Sequence, residues 1–207
     1  MPKASSEDRA LVAALRAGDE AAFMRIVDRF GPSMLRVART FVSSRAVAEE
    51  VVQETWLGVL KGIDRFEGRS SLKTWIFRIL ANVARTRGER ESRSVPFSSL
   101  AGDGDGEPAV DPSKFGPEGM WLAPPDAWDD VPEDRLLARE TLGEIEAAIA
   151  ELPPAQRAVI TLRDVDGWPA DQVCNVLDIS ETNQRVLLHR ARAKVRRALA
   201  AHLSGGN

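Results

Sequence analysis

The sequence is poor in residues that form cross-links or bind metals. It contains one cysteine, Cys174, and two histidines, His189 and His202. A single cysteine cannot form a disulfide within the chain, and these three side chains cannot supply a multi-thiolate zinc site. We therefore expect no disulfide framework, no metal and no cofactor, and we interpret Cys174 as a small packed residue rather than a redox switch.

Long apolar runs are missing as well. Runs such as Val51-Val52 and Trp75-Ile76-Phe77 are interrupted by charges within a few residues. The first residues also lack the charged-then-apolar pattern of a secretory leader. The sequence thus predicts no membrane span and a cytoplasmic location.

Catalytic motifs are equally scarce. There is no Gly-rich phosphate-binding motif, no cluster of metal ligands, and no serine or cysteine nucleophile with a histidine partner in a structured context. We predict that the protein is not an enzyme.

Strand signals are nearly absent, whereas helix signals are frequent. Alternation of apolar and polar residues with a period of two is not sustained anywhere. Apolar residues instead recur at three- and four-residue spacing behind candidate helix caps, which are Asp19, Ser43 or Ser44, and Ser70 or Ser71. The sequence therefore predicts an all-α fold.

Charge divides the chain into three parts. Residues 1–92 hold 16 Lys and Arg against 12 Asp and Glu, a net charge of +4. Residues 93–134 are rich in Gly and Pro and hold two bases against ten acids, a net charge of −8, and residues 135–207 hold ten bases against nine acids. The middle part predicts a flexible acidic linker with a relaxed span of about 35 Å. We expect two small helical domains, 1–92 and 135–207, joined by this linker.

The helix that follows Ser43 and Ser44 has two distinct faces. Its apolar stripe comprises Val52, Trp56, Val59, Leu60 and Ile63. A second face, at three- and four-residue spacing, carries Glu50, Gln53, Glu54 and Leu57. This face suits a basic partner surface, although a merely solvated polar face would have the same pattern.

The helix that follows Ser70 and Ser71 is longer. Its apolar stripe is Leu72, Trp75, Ile76, Ile79, Leu80 and Val83, and roughly opposite lie Arg78, Asn82 and Arg85. Trp75 lies within the stripe, so we interpret it, like Trp56, as a core residue rather than a platform for base stacking.

The C-terminal part has the pattern of a helix-turn-helix. A short helix ends at Leu177, Asp178 and Ile179 form a tight turn, and Ser180 caps a second helix. In that helix the predicted buried stripe is Leu188, Ala191, Val195 and Leu199, and the predicted exposed face is Arg185, His189, Arg192 and Arg196. Such a helix can enter the DNA major groove, while a solvated basic face on a bundle helix is the alternative.

Two blocks of sequence resemble regions two and four of extracytoplasmic-function (ECF) sigma factors of bacterial RNA polymerase. Residues 48–56 (AEEVVQETW), 64–66 (DRF) and 71–82 (SLKTWIFRILAN) are similar to region two. Residues 152–167 (LPPAQRAVITLRDVDG) and 188–192 (LHRAR) are similar to region four. The blocks follow the family's order, which makes coincidence improbable.

The resemblance implies a promoter-specificity subunit that binds core polymerase and promoter DNA, and whose domain 1–92 also melts the promoter. The residues implied to bind the core are Glu50, Gln53, Glu54 and Leu57. In region two, a loop at 67–71 is implied to cradle an unstacked base, and the residues implied to bind DNA there and on the helix that follows are Arg69, Ser70, Lys73, Arg78, Asn82, Arg85 and Arg87. Those implied to bind DNA in region four are Glu181, Thr182, Gln184, Arg185, His189, Arg190 and Arg192.

Other parts of the chain allow more than one interpretation. By resemblance the linker threads the polymerase toward its active centre, and a solubilising tether is the alternative, although Trp121 and Trp128 are unusual in a tether. The recognition helix departs from the family's usual pattern at 182–188, so the docking mode carries over but the base preference does not. An anti-sigma factor is implied as a further partner. The rival functional hypothesis is a helix-turn-helix regulator whose N-terminal helices sense a signal or dimerise.

Overall fold

The computed structural model describes residues 3–94 and 135–205. Within those ranges the regular structure is entirely helical: α1 (Ser6–Arg16), α2 (Glu20–Ala38), α3 (Arg45–Gly62), α4 (Leu72–Ser94), α5 (Arg135–Ala150), α6 (Pro154–Ile160), α7 (Ala170–Leu177) and α8 (Glu181–Gly205). A 3-10 turn at Ile63–Arg65 follows α3, and a π-helical turn at Thr161–Val165 follows α6. The prediction of an all-α protein with two helical domains is confirmed, and the acidic character and flexibility assigned to 93–134 fall mainly outside the described residues.

Side-chain caps start the helices of the N-terminal domain. Asp19 caps α2, Ser44 caps α3 and Ser71 caps α4, and each accepts a hydrogen bond from the backbone N–H three residues further on. These bonds satisfy backbone donors that the first turn of a helix leaves without an intrahelical partner. The structure therefore selects Ser44 and Ser71 from the two predicted pairs.

The core of the N-terminal domain lies between α2, α3 and α4. It contains Ile26, Met34, Val37, Val51, Val59, Ile76 and Leu80, each at most 1% exposed. Trp56 packs edge-on against Phe23 with ring centroids 5.7 Å apart, as expected for a core residue. Trp75 is only half-buried and packs against Phe66.

One prediction about α3 is wrong. Leu60 was expected on the buried stripe, but its side chain is 45% exposed. The buried side of α3 instead runs along Ala48, Val51 and Thr55 to Val59, which turns Leu60 toward the opposite face.

Helix α1 is fastened to the rest of the domain by Arg16. Its guanidinium donates hydrogen bonds to the backbone carbonyls of Ile63, Asp64 and Phe66, at distances from 2.9 to 3.3 Å. One side chain thereby satisfies the carbonyls at the end of α3 and holds the entrance to the loop at 67–71.

The C-terminal domain packs α5, α6 and α7 around α8. Its core includes Leu162, Val173, Val176, Ala191 and Val195. Asp178, which follows α7, adopts a left-handed conformation with φ +57°, and Ser180 accepts a hydrogen bond from the Asn183 N–H at the start of α8. This geometry confirms the predicted helix-turn-helix.

The two domains pack against each other, with α7 lying along α4. The Phe77 ring of α4 and the Trp168 ring that precedes α7 meet with centroids 4.8 Å apart, and both are at most 1% exposed. None of the described helices is long and apolar enough to cross a membrane.

Candidate polymerase and nucleic-acid interfaces

The exposed face of α3 combines polar and apolar side chains. Gln53, Glu54 and Leu57 are all exposed, and Leu57 is exposed over 57% of its surface. The exposed Leu60 extends the same face by one turn. Two large apolar side chains beside a carboxylate and an amide have the chemistry of a protein-binding surface.

Glu50, predicted for the same face, has a partner within the domain. Its carboxylate accepts a hydrogen bond from Arg87 of α4, a residue predicted to bind DNA. The structure thus joins two residues that the sequence assigned to different partners, and their pairing ties α3 to α4.

The loop at 67–71 is shaped by local hydrogen bonds. Gly68 has φ +70°, a conformation that favours glycine, and its carbonyl accepts a hydrogen bond from the Ala4 N–H. Arg69 is 85% exposed and pairs with Glu67 at 2.9 Å, and the Ser70 hydroxyl donates to the Ser71 carbonyl. The arginine is therefore well placed for an external anion, whereas the serine hydroxyl is used within the loop.

Three of the residues predicted on α4 face the C-terminal domain. The Lys73 ammonium lies 3.9 Å from the centroid of the Trp168 ring, and the Arg85 guanidinium donates to the Leu177 carbonyl at 2.8 Å. Arg78 lies 3.8 Å from the Asp178 carboxylate. The remaining residue predicted on this side, Asn82, is exposed.

The position of Lys73 changes its acid–base behaviour. Burial beneath the C-terminal domain lowers the pKa of the Lys73 ammonium, because the charged form loses hydration. The nearby Asp166 carboxylate acts in the opposite direction and raises this pKa.

The exposed start of α8 carries most of the residues predicted to read bases. Glu181, Thr182 and Arg185 are exposed, with Arg185 paired to Glu181 one turn away at 3.3 Å. Arg190 is exposed and His189 is half-buried. These side chains surround the N-terminal half of the helix, which is the part that enters the major groove in helix-turn-helix proteins.

Gln184 does not fit its predicted role. Gln184 is only 2% exposed, so its side chain cannot reach a base edge in this conformation. The reason is its spacing: Gln184 lies one turn before Leu188 and extends the buried stripe of α8 toward the N-terminus.

Arg192 is bound within its own domain. Its guanidinium donates two hydrogen bonds to Asp164, from Nε to Oδ2 at 2.8 Å and from Nη2 to Oδ1 at 2.7 Å. These hydrogen bonds raise the pKa of Arg192 above its ordinary value, so the pair stays ionised. Arg192 therefore holds the turn at Thr161–Val165 against α8.

Sequence reasoning missed the residues that join the domains. Ser33, Arg36 and Phe77 on one side, and Asp166 and Trp168 on the other, had no predicted role. Only the tryptophan, in the short loop segment after Gly167, stands out in the sequence. Among residues 3–94 and 135–205 there is no cluster of His, Cys, Asp and Glu that could hold a metal ion.

Two family models match this chain. Residues 26–94 match "Sigma-70 region 2", and residues 142–195 match "Sigma-70, region 4". Together they span more than half of the chain, and each match lies within one of the two helical domains.

The chain is also similar in sequence to curated proteins of the same family. The chain is 38% identical over 156 residues to the ECF RNA polymerase sigma factor SigG of Mycobacterium tuberculosis (strain H37Rv), a match that covers 72% of this chain but 40% of that protein. It is 27% identical over 190 residues to the ECF RNA polymerase sigma-E factor of Escherichia coli (strain K12), covering 91% of this chain and 92% of that one. The chain thus spans well under half the length of the first relative and nearly all of the second.

Solved structures share the fold. CnrH, determined in complex with the cytosolic domain of CnrY, is 23% identical with a TM-score of 0.59, and the match covers 97% of this chain and 99% of CnrH. The sigma factor RpoE of Bartonella quintana, determined with the anti-sigma factor NepR, is 21% identical with a TM-score of 0.59 over 86% of this chain and 96% of RpoE. With two helical domains, an exposed helix-turn-helix and both family regions in order, this chain belongs to the ECF RNA polymerase sigma factors with sigma-70 regions 2 and 4.

Proposed function

We propose that the chain directs core RNA polymerase to specific promoters and helps to open them, without catalysis of its own. The observation that carries the proposal is the presence of regions 2 and 4 in one chain, with Arg185 exposed at the start of the second helix of the helix-turn-helix. Such a factor acts in the cytoplasm, where polymerase and promoter DNA meet.

The exposed face of α3 is the proposed contact with polymerase. Leu57 and Leu60 offer apolar area to bury, and Glu54 and Gln53 offer charge and hydrogen bonds that orient the partner. Glu50 contributes less directly, because it is already paired with Arg87. We expect the partner surface to be basic around an apolar centre.

The loop at 67–71 and the exposed side of α4 are the proposed contact with the promoter near the start site. Opening a duplex without ATP requires contacts that only the unpaired strand can make, because unstacking costs a few kcal/mol per base. Arg69, Arg78 and Asn82 are exposed and suited to this role. Lys73 and Arg85 belong to the same proposed contact, although in this structure they also contact the C-terminal domain.

The start of α8 is the proposed reader of the upstream promoter element. Arg185 and Thr182 lie where base edges would be read, and Arg190 and His189 lie further along the helix toward phosphates. Gln184 is excluded from direct reading by its burial, and Arg192 is held by Asp164.

The proposal also includes an anti-sigma protein as a partner and a passage of the linker through polymerase. The solved relatives CnrH and RpoE are described in complexes with CnrY and with the anti-sigma factor NepR. We propose that this chain is likewise restrained by an anti-sigma protein. The proposed passage of the linker through polymerase, and any role of Trp121 and Trp128, concern residues outside those described.

The test is initiation by purified components. The chain is added to sigma-free core polymerase with a supercoiled library of genomic promoters, and transcript starts are sequenced. Defined starts that require the chain support the proposal. Absence of starts, with duplex DNA still bound by the chain alone, would instead support the helix-turn-helix regulator.

A charge reversal on α3 tests the polymerase contact. Glu54→Lys should weaken binding to core polymerase at least tenfold, because it sets like charges against a basic partner. Asp28→Lys is the matched control, since Asp28 is an exposed acid on α2, outside the proposed face. Equal core affinity for the two variants, with helical circular dichroism retained in both, would contradict this contact.

A further inference from the structure

The loop at 67–71, proposed above to contact the unpaired strand, is fastened by hydrogen bonds from the N-terminal segment. Arg16, the last residue of α1, donates from Nη2 to the Phe66 carbonyl at 2.9 Å, immediately before the loop. Ala4, which lies just ahead of the same helix, donates its backbone N–H to the Gly68 carbonyl at 3.2 Å, inside the loop. The two ends of α1 therefore reach two successive points of one loop.

Arg16 fixes the entrance to the loop through several carbonyls at once. Its guanidinium also donates to the carbonyls of Ile63 and Asp64, at 3.1 to 3.3 Å. A planar guanidinium presents five N–H donors in a rigid fork, which lets one side chain join several neighbouring carbonyls. The Phe66 ring packs against Trp75 with centroids 5.2 Å apart. Phe66 is thus held by its side chain in the core and by its carbonyl on Arg16.

Ala4 and Gly68 lie in direct contact. A Cβ atom at position 68 would lie 3.3 Å from the Ala4 Cβ, and Gly68 has φ +70°, so the close approach and the turn both suit glycine. The next residue, Ser5, starts α1 with a capping box, in which its hydroxyl accepts from the Asp8 N–H and its N–H donates to the Asp8 carboxylate. These bonds fix the direction of the chain at Ala4, and with it the donor that meets the loop.

Helix α1 is itself attached firmly to the domain. Val12 and Leu15 are buried in the core. On the exposed side, Glu7 pairs with Arg29 of α2 at 3.0 Å. The buried side chains provide most of the attachment, because exposed ion pairs contribute little. The helix can therefore impose a conformation on the loop rather than follow it.

The outward side chains of the loop are held more weakly than its backbone. Arg69 and Glu67 form an ion pair at 2.9 Å, but both side chains are largely exposed to solvent. Such a pair exchanges readily with an incoming phosphate or base. Ordering loop residues costs backbone entropy, so a loop that is already fixed loses less on binding than one that must first be ordered.

We propose that Arg16 and Ala4 are positioning residues for promoter opening, which preform the loop at 67–71 as a holder for an unpaired base without themselves touching DNA. The inference rests on the proposed function, because it takes that loop as a contact of the unpaired strand. Loss of either fastening should weaken capture of the unpaired strand. Binding of core polymerase and of duplex DNA should be retained, since α3 and α8 carry those contacts.

The first test uses the holoenzyme formed from the full chain and core polymerase, with an unpaired-strand oligonucleotide taken from just upstream of a mapped transcript start. Arg16→Gln removes the guanidinium, and Arg9→Gln is the matched control, since Arg9 is exposed on the same helix. We expect Arg16→Gln to lower affinity for the labelled oligonucleotide by about tenfold, because the loop must then be ordered on binding. An equal loss in Arg9→Gln would overturn the inference.

The same variants are measured for binding of core polymerase and of duplex promoter in the cold, before the strands separate. Both affinities should change by less than about twofold, because distant sites act independently. Losses in Arg16→Gln as large as the loss for the oligonucleotide would mean that the whole domain is damaged, and would overturn a role confined to the loop.

An abasic scan separates positioning from general destabilisation. Oligonucleotides that lack one base at each position in turn identify the base that the loop holds, as the position where the wild-type holoenzyme loses most affinity. Arg16→Gln should lose less there, because a loosened loop no longer holds the base, and the difference is a coupling between residue and base. A factor that is only less stable keeps the wild-type penalty in its folded fraction. An unchanged penalty in Arg16→Gln would overturn the inference.

Arg16→Lys separates geometry from charge. A lysine keeps the positive charge but lacks the planar fork that joins three carbonyls. We expect it to recover only part of the affinity that Arg16→Gln loses. Full recovery would show that Arg16 acts as a charge on the nucleic acid, and would overturn its positioning role.

The second fastening is tested with proline, which has no backbone N–H. Ala4→Pro removes the donor to the Gly68 carbonyl. Ser6→Pro is the matched control, because Ser6 is the first residue of α1, where proline is tolerated, and the extended Ser5 suits a following proline. We expect Ala4→Pro to repeat the oligonucleotide defect and the reduced abasic penalty, and Ser6→Pro to behave as the wild type. Equal behaviour of the two variants would overturn the assignment of Ala4.

Failure of this inference and failure of the proposed function give different results. If the wild-type chain directs defined starts and shows an abasic penalty, and Arg16→Gln matches it in both, the inference is wrong and the sigma function stands. If the wild-type holoenzyme neither initiates nor binds the oligonucleotide, the proposed function fails, and the assignment of the loop fails with it.

Discussion

Gly88 of α4 lies directly against the backbone carbonyl of Phe41, so closely that a Cβ atom at position 88 would overlap the carbonyl oxygen. The contact fixes how the C-terminal half of α4 passes the connection between α2 and α3. Gly88 is thus required by close approach rather than by backbone conformation.

Gly88→Ala should therefore destabilise the chain, by about 1–3 kcal/mol, because a backbone carbonyl cannot move aside as a flexible side chain can. Gly143→Ala is the matched control: Gly143 also lies within a helix, but no atom lies within 4 Å of the place that an added methyl group would take. There the substitution should stabilise by up to about 1 kcal/mol through helix propensity. Urea-induced unfolding measures both, and effects of the same sign would contradict the argument.

The ion pair between Arg192 and Asp164 should contribute to stability more than to DNA binding. Arg192→Ala is expected to lower the free energy of unfolding by about 1 kcal/mol, because two charge-assisted hydrogen bonds are lost at a partly covered site. A double-mutant cycle with Asp164→Ala isolates the interaction. A coupling energy of zero would show that the pair is merely a surface contact.

Arg185 should contribute to DNA binding more than to stability. Arg185→Ala is expected to weaken promoter binding by about 1–3 kcal/mol and to relax the sequence preference at one position. Arg197→Ala, about three turns further along α8, should weaken binding less and without changing the preference. Unchanged promoter affinity of the Arg185 variant at a fixed low salt concentration would remove this residue from the interface.

Cys174 should react slowly with alkylating reagents at neutral pH. Burial raises the pKa of its thiol, and the carboxylates of Glu181 and Asp171 raise it further, so the thiolate is rarer than in a free cysteine. The alkylation rate should therefore rise only as the pH becomes alkaline, with a midpoint above that of a short cysteine peptide measured in parallel. Glu181→Gln should move the midpoint downward, and a wild-type midpoint below that of the peptide would contradict the prediction.

Local signals in the sequence predicted the helices well. The caps Asp19, Ser44 and Ser180 act on backbone groups three residues away, so their effect can be inferred from the sequence around them. The helix-turn-helix was predictable for the same reason, since its turn and cap lie within three residues of each other.

The surfaces were harder to predict. Gln184 was assigned to base reading from its place near the start of α8, although its spacing from Leu188 already favours the buried stripe. The contact of Phe77 with Trp168 offers no such signal, because Trp168 lies 91 residues later in the chain. Packing between domains depends on pairs of residues that no local pattern connects.

The hydrogen bonds of Arg16 show that the family region and the structural domain begin at different residues. The region 2 match begins at residue 26, yet the carbonyls of Ile63 and Phe66, well inside it, are held by a side chain from before that point. A fragment cut at residue 26 would contain the whole family region and still lack the brace at the entrance to its own loop. We therefore expect a stable fragment of this domain to include Arg16 and the helix α1 that carries it.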